Sequence, residues 1–151
     1  MNQRGFSTME LVMVVAIVGI LSALGYPYVT TYLQAATLRA GAQELATVIN
    51  GGRQLAISRN TNVCVVLSGN NAQYRTGAAS PCTGTTFIGA GTKADGTMAL
   101  SNDIQITAAT ASVVFSALGA ATTAGTYTVH SPVTGRDLSV VVAASGRVTI
   151  Q

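Results

Sequence analysis

Hydrophobic and polar positions divide the chain into three stretches with different periods. From Leu11 to Val29 nearly every position is apolar, a run of 19 residues, and no charge appears until after Leu38. As a helix that run rises about 28 Å, close to the roughly 30 Å of a bilayer's hydrocarbon core. From Thr30 the apolar positions narrow to one face. Leu38, Ala42, Leu45, Val48, Ile49, Gly52, Leu55 and Ala56 recur three and four apart, while Arg39, Gln43, Glu44, Asn50 and Arg53 fall largely elsewhere. The spacing predicts that the helix continues, amphipathic, along a folded domain and ends at Arg59, before the turn formers Asn60 and Asn62. Gly51-Gly52 is poor helix chemistry, costing up to ~1 kcal/mol per glycine relative to alanine. Either a sheet approaches closely at Gly52 or the helix breaks there.

Beyond Thr61 the pattern is that of strands. Val63–Leu67 is a β-branched run, and Ser68-Gly69-Asn70-Asn71 reads as a hairpin turn into Gln73–Arg75. Thr85–Ile88 is a weaker strand, and Ala90–Gly96 a loop. Ile104–Thr107, Val113–Ala117, Thr126–His130, Leu138–Ala143 and Arg147–Ile150 follow, punctuated at Gly119 to Gly125, Pro132 to Gly135 and Ser145-Gly146. One long helix followed by seven or so short strands predicts an α+β fold, a long N-terminal helix packed on an antiparallel β-sheet head like a lollipop.

Composition narrows the function. Only 9% of the residues are charged, against 48% apolar, which excludes a charged disordered tail and a Glu/Lys-rich coiled coil. The net charge of +3 is spread thinly along the chain, too thinly for a strong nucleic-acid footprint. Two cysteines, Cys64 and Cys82, are too few for a tetrahedral cysteine zinc site and do not form a CxxC pair. No GxSxG, HExxH, P-loop or GxGxxG occurs. His130 lies in an apparent strand without a nucleophile motif, and Asp95, Asp103 and Asp137 are dispersed. The chain therefore reads as a non-enzyme with no cofactor.

The N-terminus admits three readings. Arg4 before an apolar run fits an ordinary signal peptide cut after Gly25, which would release a secreted β-domain. It also fits a plain signal anchor, or a short leader followed by a retained helix. Glu10 discriminates, because a carboxylate carried into an apolar helix costs on the order of 2–3 kcal/mol toward the bilayer centre. Its presence asks for a partner charge. Tyr26 and Tyr28 fit an aromatic belt at a membrane surface, and Pro27 removes one helical hydrogen bond.

Gly5, Phe6 and Glu10, followed by the apolar stretch, resemble the class III leader of type IV pilins and type II secretion pseudopilins. The resemblance implies prepilin peptidase cleavage between Gly5 and Phe6, N-methylation of Phe6, and pairing of Glu10 with the N-terminal ammonium of a neighbouring subunit. It implies a leader at 1–5, a transmembrane and filament-core helix at 6–29, an amphipathic half at 30–59 and a head at 60–151. Pro27 matches a proline that bends or loosens the helix in that family. The implied partners are other pilin or pseudopilin subunits, the peptidase and inner-membrane lipid before assembly, with the head in the periplasm.

Within these proteins Arg53–Arg59, Val113–Gly119 and Ser145-Gly146-Arg147-Val148 are similar to the GspH/FimT family of minor pilins and pseudopilins. Some of its members bind DNA through a Gly-Arg-x-Arg element, here Gly146-Arg147-Val148-Thr149 with the second arginine missing. A DNA contact would then rest on Arg136 and Arg147 at neighbouring strand ends. In a head outside the cytoplasm a Cys64–Cys82 disulfide is the favoured state, closing a loop for roughly 3 kcal/mol. The alternative is a buried thiol at Cys64.

Overall fold

The computed structural model describes residues 7–77, 82–101, 104–108 and 112–151. It divides into two compact units, one ending at Ala36 and the other beginning at Thr37.

A single helix, α1 (Thr8–Arg59), passes without interruption through Pro27 and through Gly51-Gly52. Its first turn is closed by the Ser7 carbonyl, which accepts from the Glu10 and Leu11 amides at 3.1 and 3.2 Å. Pro27 offers no amide, yet its own carbonyl accepts the Thr30 and Thr31 hydroxyls at 3.0 and 2.9 Å. The other end is capped by Asn60 at φ 47°, while the Thr61 amide reaches back to the Ala56 carbonyl at 3.2 Å. This left-handed cap satisfies a carbonyl that the last turn leaves without a partner.

Within the second unit the helix buries Leu38, Gly41, Ala42, Leu45, Ile49, Gly52 and Ala56, with Val48 and Leu55 half-buried at the margins. The covered face starts at Leu38, eight residues later than Thr30.

Ten strands among the described residues form two antiparallel sheets. The first joins β1 (Val63–Ser68), β2 (Asn71–Thr76), β3 (Thr85–Thr86), β6 (Ser112–Phe115) and β7 (Ala121–Thr123) in the order β3-β2-β1-β6-β7, with β4 (Thr97–Ala99) also paired to β2. The second has the order β10-β9-β8-β5, from β5 (Gln105–Ala108), β8 (Gly125–Ser131), β9 (Arg136–Val142) and β10 (Val148–Ile150). The sheets meet where the Gly69–Ile106 bridge forms and where the Ala121 amide donates to the Ala144 carbonyl at 3.0 Å.

One core joins α1 to Val63, Val65, Leu67, Tyr74, Val113 and Phe115 of the first sheet and Tyr127, Val129, Val140 and Val142 of the second. Cys64 and Val114 are buried in a separate small cluster with Val66 and Cys82. β1 is thus covered on both faces, which is why Val63–Leu67 lacks the apolar-polar alternation of a half-exposed strand. β7 falls in the Gly119 to Gly125 punctuation, and β4 follows the predicted Ala90–Gly96 loop at residues given no element from sequence. Both are three-residue strands, too short to show a period.

Candidate functional site

Glu10 lies in the first turn of α1, where a carboxylate faces the partial positive charge of the helix N-terminus. Around it Met9, Leu11, Val12 and Met13 are exposed, as are the large apolar side chains from Val14 to Leu33. The helix is long and apolar enough to cross a membrane. Among the described residues the Glu10 carboxylate has no hydrogen-bond or ion-pair partner. Gly5 and Phe6, the predicted cleavage residues, lie outside the described residues.

A second locus forms at the end of α1. Arg53 Nε donates to the Gly119 carbonyl at 2.9 Å. Gly119 stands at φ 81° in a tight turn, its amide donating to Ser116 O at 2.8 Å, and Gly146 repeats the arrangement at φ 81° with its amide on Ala143 O at 2.8 Å. The two turns face each other so closely that a methyl group on Gly146 would run into the Gly119 carbonyl. The segments Arg53–Arg59, Val113–Gly119 and Ser145–Val148, scattered in sequence, therefore converge on one latch. Sequence reading marked the segments but not their meeting; the glycine closing each turn was the available signal.

No local motif marks Tyr74, which the sheet brings against α1. Its phenol donates to the Val48 carbonyl at 2.6 Å, and burial pushes its pKa up to about 12. The ring occupies space that Gly51 and Gly52 leave free, and a methyl on Gly52 would also strike Val65 Cγ2. Of the two readings of this glycine pair, close approach of a sheet is the one found.

Cys64 and Cys82 form a disulfide with their Cα atoms 5.8 Å apart. Arg75 Nη1 donates to the Cys82 carbonyl at 3.1 Å, which fixes the same stretch from the other side. Asp95 Oδ1 accepts from the Thr97 hydroxyl and amide, and these bonds hold its carboxyl below the usual carboxylate range. His130, read from sequence as isolated, sits directly across from Asp137, with Nδ1 and Oδ1 2.6 Å apart. Both side chains are solvent-accessible, so the pair is a surface contact of at most about 1 kcal/mol.

Arg136 and Arg147 are not neighbours. Arg136 opens β9, paired with Ser131, whereas Arg147 follows the turn at the other end of that strand. Six residue steps along β9 put them roughly 20 Å apart. The patch expected from sequence is not assembled, because the β9–β10 hairpin returns Arg147 to the end of β9 opposite Arg136.

The family model described as type II transport protein GspH matches residues 41–146. Similar solved structures include the type IV minor pilin FimU of Pseudomonas aeruginosa, at 15% identity and a TM-score of 0.58, covering 80% of this chain and 92% of that one. GspH of E. coli aligns at 15% identity and a TM-score of 0.59, covering 77% and 88%. The minor pseudopilin EpsH from the type 2 secretion system of Vibrio cholerae aligns at 12% identity and 0.53, covering 73% and 92%. At such identities the likeness is one of fold. No curated protein matches the chain by sequence.

Proposed function

The chain belongs to the family of the type II transport protein GspH and is a minor pilin or pseudopilin subunit, and we propose from that premise how it is processed and assembled. Prepilin peptidase cuts between Gly5 and Phe6, and Phe6 becomes the N-methylated terminus. Leu11–Val29 anchors the subunit in the inner membrane with the head in the periplasm, until the helix moves into a filament core beside other pilin or pseudopilin subunits.

The observation that carries this reading is Glu10, a carboxylate without a partner among the described residues, set among exposed apolar side chains. In an apolar bundle an unpaired carboxylate is costly, and so is an unpaired ammonium. Bringing the terminal ammonium of one subunit to Glu10 of another removes both costs at one axial stagger. The charge pair thereby sets register more than it adds stability. The same premise supports the partition into leader 1–5, core helix 6–29, amphipathic half 30–59 and head 60–151. A DNA-uptake role has weaker support, since Arg136 and Arg147 stand apart and the second arginine of the Gly-Arg-x-Arg element is missing.

Intact-mass analysis of the protein from its own cells tests the processing step. The expected species lacks Met1–Gly5 and carries one added methyl; a chain starting at Tyr26 would mean an ordinary signal peptide and a secreted β-domain. Glu10→Leu is expected to be processed but to fail to enter filaments. Unchanged incorporation would remove the pairing role.

A further inference from the structure

On the face of the first sheet turned away from α1, a short chain of hydrogen bonds ends at the disulfide. Gln73 Nε2 donates to the Asp95 carbonyl at 3.1 Å, and its Oε1 accepts from Arg75 Nε at 3.2 Å. The other side of the same guanidinium, Nη1, donates to the Cys82 carbonyl at 3.1 Å. Arg75 also stands directly across from Cys64 in the β1–β2 register. Side chains so paired leave the same face of a sheet, their Cβ atoms about 5 Å apart. One cation is thus held beside both cysteines of the bridge.

These contacts place Cys82 without help from its sulfur. β3, three residues further on, pairs Thr86 with Arg75 and Thr85 with Thr76, and the Thr76 hydroxyl donates to the Thr85 carbonyl at 3.3 Å. The two cysteines are unequal in access. Cys64 is fully buried on β1, between β2 and β6, whereas Cys82 is half-buried. Thiol–disulfide exchange requires access to the reacting sulfur, so a reagent in solution reaches Cys82 and not Cys64. The charges act in the same sense. β1, β3 and β6 carry no acid or base besides Cys64, and on β2 the Tyr74 phenol is turned to α1. Asp95, at the far end of the hydrogen-bond chain, has its carboxylate on the Thr97 hydroxyl and amide. A cation beside a thiol favours the thiolate, which is the attacking form.

We propose that the bridge closes in the already folded head by exchange at Cys82, with Arg75 as the positioning residue that holds Cys82 over β1 and favours its thiolate. The Cys82 thiolate attacks the disulfide of an external disulfide-bearing oxidant, a mixed disulfide forms, and the oxidant's other sulfur leaves as thiolate. Cys64 then gives up its proton and attacks Cys82 Sγ. The Cys64–Cys82 bond forms, and the second oxidant sulfur leaves. Two protein thiols are oxidised to one disulfide, while the oxidant's disulfide takes up the two electrons and two protons and becomes two thiols. The inference goes beyond membership of a filament and needs only an oxidising surrounding.

The test uses the full chain in detergent, reduced and freed of reductant. Iodoacetamide, mapped by mass, should alkylate Cys82 about tenfold faster than Cys64 or more, and glutathione disulfide quenched early with acid should leave glutathione on Cys82. Arg75→Gln should slow alkylation of Cys82 at pH 7 about tenfold and leave its rate at high pH unchanged, whereas Arg75→Lys should keep most of the pH 7 rate. Loss of structure would instead expose Cys64, so protection of that thiol reports an intact sheet in every variant. The parent in urea makes the comparison without a substitution: Cys82 should there lose its pH 7 rate relative to its high-pH rate. Equal reactivity of the two cysteines, glutathione first on Cys64, or a reduced head that has unfolded overturns the proposal. So does a Cys82 pH profile unmoved by urea, or unmoved by Arg75→Gln with Cys64 still protected, or moved as far by Arg75→Lys as by Arg75→Gln. None of these results bears on cleavage after Gly5 or on the pairing of Glu10.

Discussion

The Tyr74 hydroxyl reaches the Val48 carbonyl across 2.6 Å, and Gly51 and Gly52 leave the space in which its ring lies. A helix carbonyl ordinarily accepts only from the amide four residues on. Here it also takes a phenol from the sheet, and the bond locks α1 to β2 at a single axial position.

Gly52→Ala is expected to destabilise the head despite alanine's advantage of about 1 kcal/mol in a helix. The added methyl meets Val65 Cγ2 and the Tyr74 ring, and overpacking of this kind costs typically about 1–3 kcal/mol. A denaturant midpoint at or above the unsubstituted value would show that the glycine is not there for close approach.

Tyr74→Phe removes the bond to Val48 while keeping the ring, at an expected cost of about 0.5–1.5 kcal/mol. It also changes the pH response. The folded pKa is raised from an ordinary 10.0 to about 12, so above pH 10 the unfolded chain loses its proton first. Stability is therefore fully present below about pH 10 and declines as pH rises toward 12. Denaturation midpoints across that window should fall more steeply in the parent than in Tyr74→Phe.

Gly146→Ala combines two faults, a methyl directed into the Gly119 carbonyl and a side chain at φ 81°. Each such backbone strain costs of order 1–3 kcal/mol, and the latch that Arg53 closes should open. Gly135→Ala is the control, since it shares a positive φ of 63° but has open space around it. The expected order of thermal midpoints is parent, then Gly135→Ala, then Gly146→Ala well below.

Cys82→Ser, or reduction of the parent, should lower the unfolding free energy by roughly 3 kcal/mol, the loop-closure value for a bridge of this span. The separation of 18 residues joins β1 to the stretch before β3. Urea titration with and without reductant measures it. Equal midpoints would mean that the bridge does not contribute.

How much of this was legible depends on how far apart in the chain the interacting groups lie. The apolar run, the amphipathic face from Leu38 to Ala56 and the longer strands are local periodicities, and they can be read directly. The two-residue β3 and the three-residue β4 and β7 were shortened or missed, since a period needs more residues than they have. Gly51-Gly52 was legible as an anomaly that calls for a closely approaching sheet or else a break, but not which residues approach, because Tyr74 and Val65 lie more than ten residues away.

The sequence by itself determined that an apolar helix with one acidic residue at its start precedes an amphipathic half and a β-rich head, because side-chain periodicity and composition are properties of neighbouring residues. Only the tertiary structure decided that the head holds two sheets, that Arg53, Gly119 and Gly146 meet in one latch, and that Arg136 and Arg147 stand apart. Those facts depend on strand register and turn direction, which the packed core fixes through contacts between residues remote in the chain.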